Sequence, residues 1–210
     1  MSQDNRYKEY SPSRYELISS KLTGMPEKGL VIEFGCASGE TLKELASIHK
    51  KVEVIGFDLE LARNLNFEAY QCDMNDFDFE FYQSILKKAD IFLLLDVLEH
   101  LIDPWSFIEK LLHHSKNGSS IIITCPNFRS IRFLLAYFRG EVPLKEFGFF
   151  DKTHLRWLTP QSLTKRINSI NYDHSHHYLK SKKVNLKLLQ YFWPSRFCSQ
   201  FLLHLQINRS

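Results

Sequence analysis

Apolar residues in this chain follow two spacings. Short, largely apolar runs read as strands: "GLVIEFG" (29–35), "KVEVIGFD" (51–58), "FEAYQCD" (67–73), "DIFLLLD" (90–96) and "SSIIITCP" (119–126). "DIFLLLD" is too short for a helix core and fits a strand buried on both faces. Between the runs, apolar positions recur at helical spacing. Residues 13–22 put Tyr15, Leu17, Ile18 and Leu22 on one side, and residues 39–48 do the same with Leu42, Leu45, Ala46 and Ile48. "FYQSILKKA" (81–89) and "WSFIEKLLHHS" (105–115) are also helical. Asp103 caps the second and Pro104 fits its first turn, while Asn117-Gly118 ends it. A further helix starts near Pro160.

Strands alternating with helices predict an α/β fold, a mostly parallel sheet with helices on both faces and right-handed crossovers. The ligand of such a sheet sits beyond the carboxyl ends of its strands. The strands here stop at Glu33-Phe34-Gly35, Asp58, Asp73, Asp96 and Pro126-Asn127, so four of the five stops carry a carboxylate. Desolvating a charge is costly unless something pairs with it, so these acids point to a ligand.

The first stop, "VIEFGCASGE" (31–40), is the turn where a nucleotide would bind. A triphosphate loop needs G-x-x-x-x-G-K-[ST]; the spacing is wrong and no lysine follows. A dinucleotide turn needs G-x-G-x-x-G, but Ala37 and Glu40 stand at its second and third glycines. An acid at a helix N-terminus repels pyrophosphate. A nucleoside that carries a positive charge fits better. Asp58 can accept from both ribose hydroxyls, Asp73 from an adenine amino group, and Glu33 can face an ammonium.

These features resemble a class I S-adenosylmethionine-dependent methyltransferase. "VIEFGCASGETLKELA" is similar to that family's first motif, "GFDLE" to its acidic second strand, "QCDMND" to its adenine-side motif and "LLLDVLEHLIDP" to its fourth-strand motif. The resemblance implies a Rossmann-like seven-stranded sheet with its last strand antiparallel, and S-adenosylmethionine as cofactor. It implies that Gly35, Cys36, Ala37 and Gly39 line the methionine part. Asp58 would hold the ribose with Leu59 beside the adenine, Asp73 and Met74 would bound the adenine, and the Asp96 backbone would face the sulfonium. Many members have glycine where Ala37 stands; alanine is tolerated there if its φ is negative.

"DVLEH" puts Asp96, Glu99 and His100 on one face of a helical turn. In small-RNA 2′-O-methyltransferases a similar stretch and a later histidine hold Mg²⁺, and in ubiquinone-biosynthesis O-methyltransferases it is linked to a metal. His154 could be the later histidine here, but a loop anchor is the simpler reading and no resident metal is expected. "GFFDKTHLRWLTPQSL" (148–163) resembles a segment of methyltransferases encoded with bacterial surface-polysaccharide genes. By that resemblance the segment lies over the active site. His154 is then the first candidate for general base, with His100 the second, and Lys152 and Arg156 could clamp an anionic group. "HSHH" (174–177) reads as a solvated strand rather than a metal site. "IRFLLAYF" (131–138) fits a lid helix, a dimer face or a membrane contact, and the sequence does not choose among them.

Charge adds one feature. Residues 1–125 carry 13 Lys+Arg against 20 Asp+Glu, or −7, while residues 126–210 carry 14 against 4, or +10. The expected organisation is one domain over residues 1–210, with a cofactor-binding core to residue 125 and a basic, aromatic acceptor-side region after it. That region suits an anionic acceptor such as a nucleotide sugar or lipid-linked glycan; no recognisable RNA-binding module is present. The chain has 210 residues, 44% of them hydrophobic and 24% charged, as in ordinary globular proteins. Its four scattered cysteines form no C-x-x-C pair, and neither a signal peptide nor a bilayer-spanning run is evident, so a cytoplasmic location is expected. The expected reaction is methyl transfer to a hydroxyl, less readily an amine. The rival readings are a metal-dependent RNA 2′-O-methyltransferase and a silent scaffold domain.

Overall fold

The computed structural model describes residues 18–20, 28–49, 51–168, 173–179 and 192–208. The helix expected over 13–22 lies outside them except at 18–20, which are helical with Ile18 buried. Seven strands form one sheet: β1 Leu30–Phe34, β2 Glu53–Asp58, β3 Glu68–Gln71, β4 Ile91–Leu95, β5 Ser120–Pro126, β6 Asp173–Leu179 and β7 Gln200–Gln206. Their order is β3-β2-β1-β4-β5-β7-β6. The first five run parallel, and β7 is antiparallel to both β5 and β6, as the family resemblance implies for the last strand. The order reverses between β1 and β4, so a crevice opens above the carboxyl ends of these two strands.

The helices are α1 Glu40–Ile48, α2 Gln83–Leu86, α3 Pro104–His114, α4 Ile131–Phe138, α5 Pro160–Asn168 and α6 Pro194–Phe197. Alternate residues of each strand point to opposite faces. On one face Ile32, Phe34, Phe92, Leu94, Ile121 and Ile123 pack with Phe107, Ile108 and Leu111 of α3 and Leu163 and Ile167 of α5. On the other, Val31, Leu93, Leu95 and Ile122 pack with Leu42 and Leu45 of α1. Each such side chain stabilises the fold by about 1.5–3 kcal/mol on burial. The Phe34 ring lies at the centre of an aromatic cluster, 5.3 Å from Phe57 and 5.2 Å from both Phe77 and Phe107.

Three local expectations change. The helix predicted over 81–89 shrinks to α2. Tyr82 is held in the aromatic cluster, 5.0 Å from Phe57, and Lys88 and Ala89 close with i→i−3 bonds that lead into β4. The third strand is shorter than residues 67–73. Helix α3 ends at His114, before Asn117, although Gly118 still makes the left-handed turn at φ 85°. Asp103 caps α3 through the Ser106 N–H, as its sequence predicts. No helix among the described residues is long and apolar enough to cross a membrane. "HSHH" lies on β6, paired with Leu202–Leu205 of β7.

Candidate active site

The turn between β1 and α1 is built from three left-handed residues: Gly35 at φ 75°, Ala37 at 45° and Gly39 at 71°. Gly35 is required twice over, because a Cβ there would lie 2.6 Å from Val97 Cγ2. The expectation of a negative φ for Ala37 is therefore corrected. The turn needs a left-handed residue at this point, and alanine occupies it at a strain of roughly 1–2 kcal/mol. The compensation is a bond: the Ala37 N–H donates to Asp58 Oδ2 at 2.7 Å.

Three more amides of the turn are used internally. Gly35 and Cys36 donate to the Phe57 carbonyl and Gly39 to that of Cys36. With these amides taken and Glu40 at the start of α1, the turn is no phosphate cradle. Two acids flank the turn: Glu33, 3% exposed next to the end of β1, and Asp58, which closes β2. That set suits an ammonium and hydroxyl donors, and so the fit to S-adenosylmethionine is chemical as well as topological. The Cys36 side chain does not join it. A Cβ on Gly56 would meet Cys36 Sγ at 2.6 Å, so the thiol packs down on the sheet, and burial pushes its pKa up. Leu59 stands exposed beside Asp58, where a flat base could lie on it.

The strand-end acids do more than face a ligand. Asp73 caps the 3-10 turn Met74–Asp76 through the Asn75 N–H, and Met74 is buried beneath it. Asn75 Oδ1 accepts from the Ile102 N–H and ties this loop to the one after β4. Asp96 has φ 58°. Its carboxylate accepts from Thr124 Oγ1 at 3.0 Å and from Gln200 Nε2 at 3.1 Å, so it is turned toward β5 and β7. The Asp96 N–H is bonded as well, to the Thr124 carbonyl at 3.0 Å.

After β4, the 3-10 turn Leu98–His100 meets the segment that carries His154. The Glu99 carbonyl accepts from the Leu155 and Arg156 amides at 2.7 and 3.0 Å. This brings the Glu99, His100 and His154 side chains together, with one donor atom of each within 4.8 Å of the others. Glu99 is fully buried and the His154 side chain is 7% exposed, with 3.9 Å between Nε2 and the nearer carboxylate oxygen. Burial first, and then the charge of His100, hold the His154 pKa below its ordinary value. Thr153 Oγ1 donates to Asp151 and lies 3.0 Å from His100 Nδ1. The hydroxyl therefore accepts from His100 Nδ1–H, which leaves His100 Nε2 as the basic nitrogen.

Lys152 and Arg156 have protein partners. Lys152 pairs with Glu146 at 2.7 Å on the surface, and Arg156 Nη2 donates to the Ile102 carbonyl. Sequence reasoning did not single out Thr124, Gln200, Thr153 or Asn75. Their roles arise only when distant segments meet, and Gln200 is 104 residues from Asp96. Thr153 in "DKTH", Asn75 in "QCDMND" and Thr124 in "SSIIITCP" lie inside marked stretches, but their partners do not show there.

Comparison with known proteins agrees with this geometry. A family profile described as a methyltransferase domain matches residues 7–177. A ubiquinone biosynthesis O-methyltransferase of Glaesserella parasuis serovar 5 (strain SH0165) is 24% identical over 164 residues, covering 74% of this chain and 69% of that protein. The plantazolicin methyltransferase BpumL, solved with S-adenosylhomocysteine, aligns with a TM-score of 0.67 at 21% identity, covering 98% of this chain and 87% of that one. A SAM-dependent methyltransferase from Archaeoglobus fulgidus aligns at 0.56 and 18% identity, covering 91% and 93%. The strand order, the phosphate-free turn and the family match converge: the chain belongs to the methyltransferase-domain family and is a class I S-adenosylmethionine-dependent methyltransferase.

Proposed function

We propose that the protein methylates a hydroxyl of a small-molecule or sugar acceptor, with His154 as general base. The observation that carries this is the buried imidazole of His154 beside His100 and Glu99, with its pKa lowered. A histidine so placed is neutral at neutral pH and ready to take a proton. S-adenosylmethionine supplies a methyl group already made electrophilic by its sulfonium. The protein's part is to position the acceptor oxygen in line, exclude water and accept one proton at His154 Nε2. Glu99 would steady the imidazolium that results, and His100 Nε2 is the second candidate base.

In this reading Gly35, Cys36, Ala37 and Gly39 line the methionine part, and Glu33 faces the ammonium. Asp58 and Leu59 take the ribose and adenine, Asp73 and Met74 the far edge of the adenine, and the Asp96 backbone the sulfonium side. Lys152 and Arg156 border the histidine pair in sequence and would attract an anionic acceptor, such as a nucleotide sugar or lipid-linked glycan of surface-polysaccharide synthesis. Four free cysteines fit work in a reducing cytoplasm. An amine acceptor is the less favoured variant, because a base is then dispensable.

The test is calorimetric titration of S-adenosylhomocysteine, followed by methyl transfer to nucleotide sugars and lipid-linked glycans with wild type and His154→Gln. Cofactor binding with transfer lost only in the variant supports the reading. Transfer undiminished in the variant rejects His154 as base.

The close approach of Glu99, His100 and His154 also favours a second reading, since a carboxylate and two imidazoles are good donors for a divalent ion. A metal held there would align the reading with RNA 2′-O-methyl transfer. Loss of activity in EDTA, restored by Mg²⁺ or Mn²⁺, and transfer to RNA would select it.

A further inference from the structure

Helix α4, Ile131–Phe138, is apolar along its length, yet Ala136 is its one fully buried residue. Tyr137 and Phe138 stand in solvent, Phe138 at 79% exposure. They are not isolated. Of the thirteen large apolar side chains exposed among the described residues, nine lie between residues 135 and 193. Contacts link α4, Trp157 and the start of α6. Trp157, 58% exposed, stacks on Phe128 at 5.7 Å and meets Phe133 of α4 at 5.3 Å. Helix α4 also packs against α6, whose first turn is capped by the carbonyl of the exposed Trp193.

The region is basic as well as aromatic. Residues 126–168 carry eight Lys+Arg against three Asp+Glu, a net +5, while residues 1–125 carry −7. Arg132 and Arg139 bracket the exposed turn of α4, and the Arg132 guanidinium lies 5.7 Å over the Phe149 ring. An apolar patch of this extent marks an interaction surface. Trp, Tyr, Phe and Leu mixed with arginines whose stems can reach outward is the chemistry of a lipid headgroup interface. The net positive charge of residues 126–168 favours an anionic bilayer over a neutral one.

We propose that α4, Trp157 and Trp193 form a docking surface for an anionic lipid bilayer. The protein lies on the membrane with Phe138 and Tyr137 inserted among the headgroups and Arg132 and Arg139 at the phosphates. The segment that carries His154 then lies next to the lipid surface; this clause alone rests on the proposed methyl-transfer reading.

The test is co-sedimentation with phosphatidylcholine vesicles, with and without phosphatidylglycerol, together with tryptophan emission. Expected are binding to the anionic vesicles only, a blue shift from Trp157 and Trp193, and weakening by salt. Tyr137→Ser/Phe138→Ser and Arg132→Glu/Arg139→Glu should each weaken binding roughly tenfold or more. S-adenosylhomocysteine binding, measured on the same samples, should be unchanged, which shows the variants are folded and separates failure of the docking from failure of the cofactor site. The proposal is overturned if folded protein ignores anionic vesicles at low salt, or binds neutral ones equally well. It is also overturned if both variants bind as wild type, or if the wild type is a dimer that the serine variant splits, since a second copy then covers the patch.

Discussion

The carboxylate of Asp58 holds the amide of Ala37 at 2.7 Å, so the end of β2 fixes the turn that follows β1. Its second oxygen accepts from the Glu60 N–H at 3.0 Å. A carboxylate has about four acceptor positions, and this one therefore keeps capacity for a ligand's hydroxyls while bracing the turn.

Replacement of Asp58 should act on both roles. Asp58→Ala should cost about 1–3 kcal/mol of stability, because the Ala37 amide loses its acceptor. It should also weaken S-adenosylhomocysteine by roughly 10–100-fold. Asp58→Asn keeps one acceptor oxygen and should lose less of each. Urea unfolding and calorimetry check the pair; an Asp58→Ala protein as stable and as tight-binding as wild type contradicts the bracing role.

The left-handed turn makes two glycine exchanges run in opposite directions. Ala37→Gly relieves strain of about 1–2 kcal/mol but adds freedom to the unfolded chain worth about 0.5–1 kcal/mol, for a net gain of about 0–1.5 kcal/mol. Gly35→Ala must displace Val97 at an unfavourable φ and should destabilise by roughly 1–3 kcal/mol while impairing cofactor binding. Thermal unfolding of both variants reads the signs directly.

His154 sets an acid limit. Its pKa is lower in the folded protein than in the unfolded chain, so the unfolded state binds more protons between the two values. Its contribution to stability is thus full above the ordinary histidine pKa of about 6.5 and is lost as pH falls toward the folded value. The rate of a reaction using His154 as base should hold through neutrality and fall on that same acid side. His100→Ala removes a neighbouring positive charge, and should shift the acid limb to higher pH. His154→Ala should lower kcat by about 10²–10⁴-fold with cofactor affinity unchanged. A pH–rate profile of the three proteins decides it.

Asp96 offers a separation of conformation from charge. Asparagine tolerates left-handed backbone and still accepts from Thr124, so Asp96→Asn should be mild. Asp96→Ala should cost about 1–3 kcal/mol, because Thr124 and Gln200 lose their acceptor and alanine must sit at φ 58°. Equal stabilities for the two variants would show that neither bond matters.

The sheet was legible because "LVIEF", "IFLLL" and "SIIITCP" are predominantly apolar runs followed by acids or turn residues, and buried parallel strands leave that local trace. Asp103 and Pro104 announced α3 in the same local way. What the strand-end acids touch was not legible. Asp58 reaches back to Ala37, and Asp96 turns toward Gln200 on a strand far along the chain; such bonds depend on register between segments, which no window of sequence contains. Cys36 shows the same limit. Its motif position implied a place along the cofactor, but Gly56 on the neighbouring strand leaves the gap into which its side chain falls. The Ala37 conformation was missed because alanine carries no sequence mark of a left-handed turn.

Strand β6 precedes β7 in the chain but is held in the sheet through β7, which lies between it and β5. During synthesis, β1 to β5 can therefore assemble while β6 has emerged from the ribosome without its neighbour. Until Gln200–Gln206 follows, the nascent sheet ends at Ser120–Pro126 with a row of unpaired amides and carbonyls beside an apolar strand. That interval is when the polypeptide is most exposed to misassociation, and a chaperone that shields a bare strand edge would act there rather than on the finished protein.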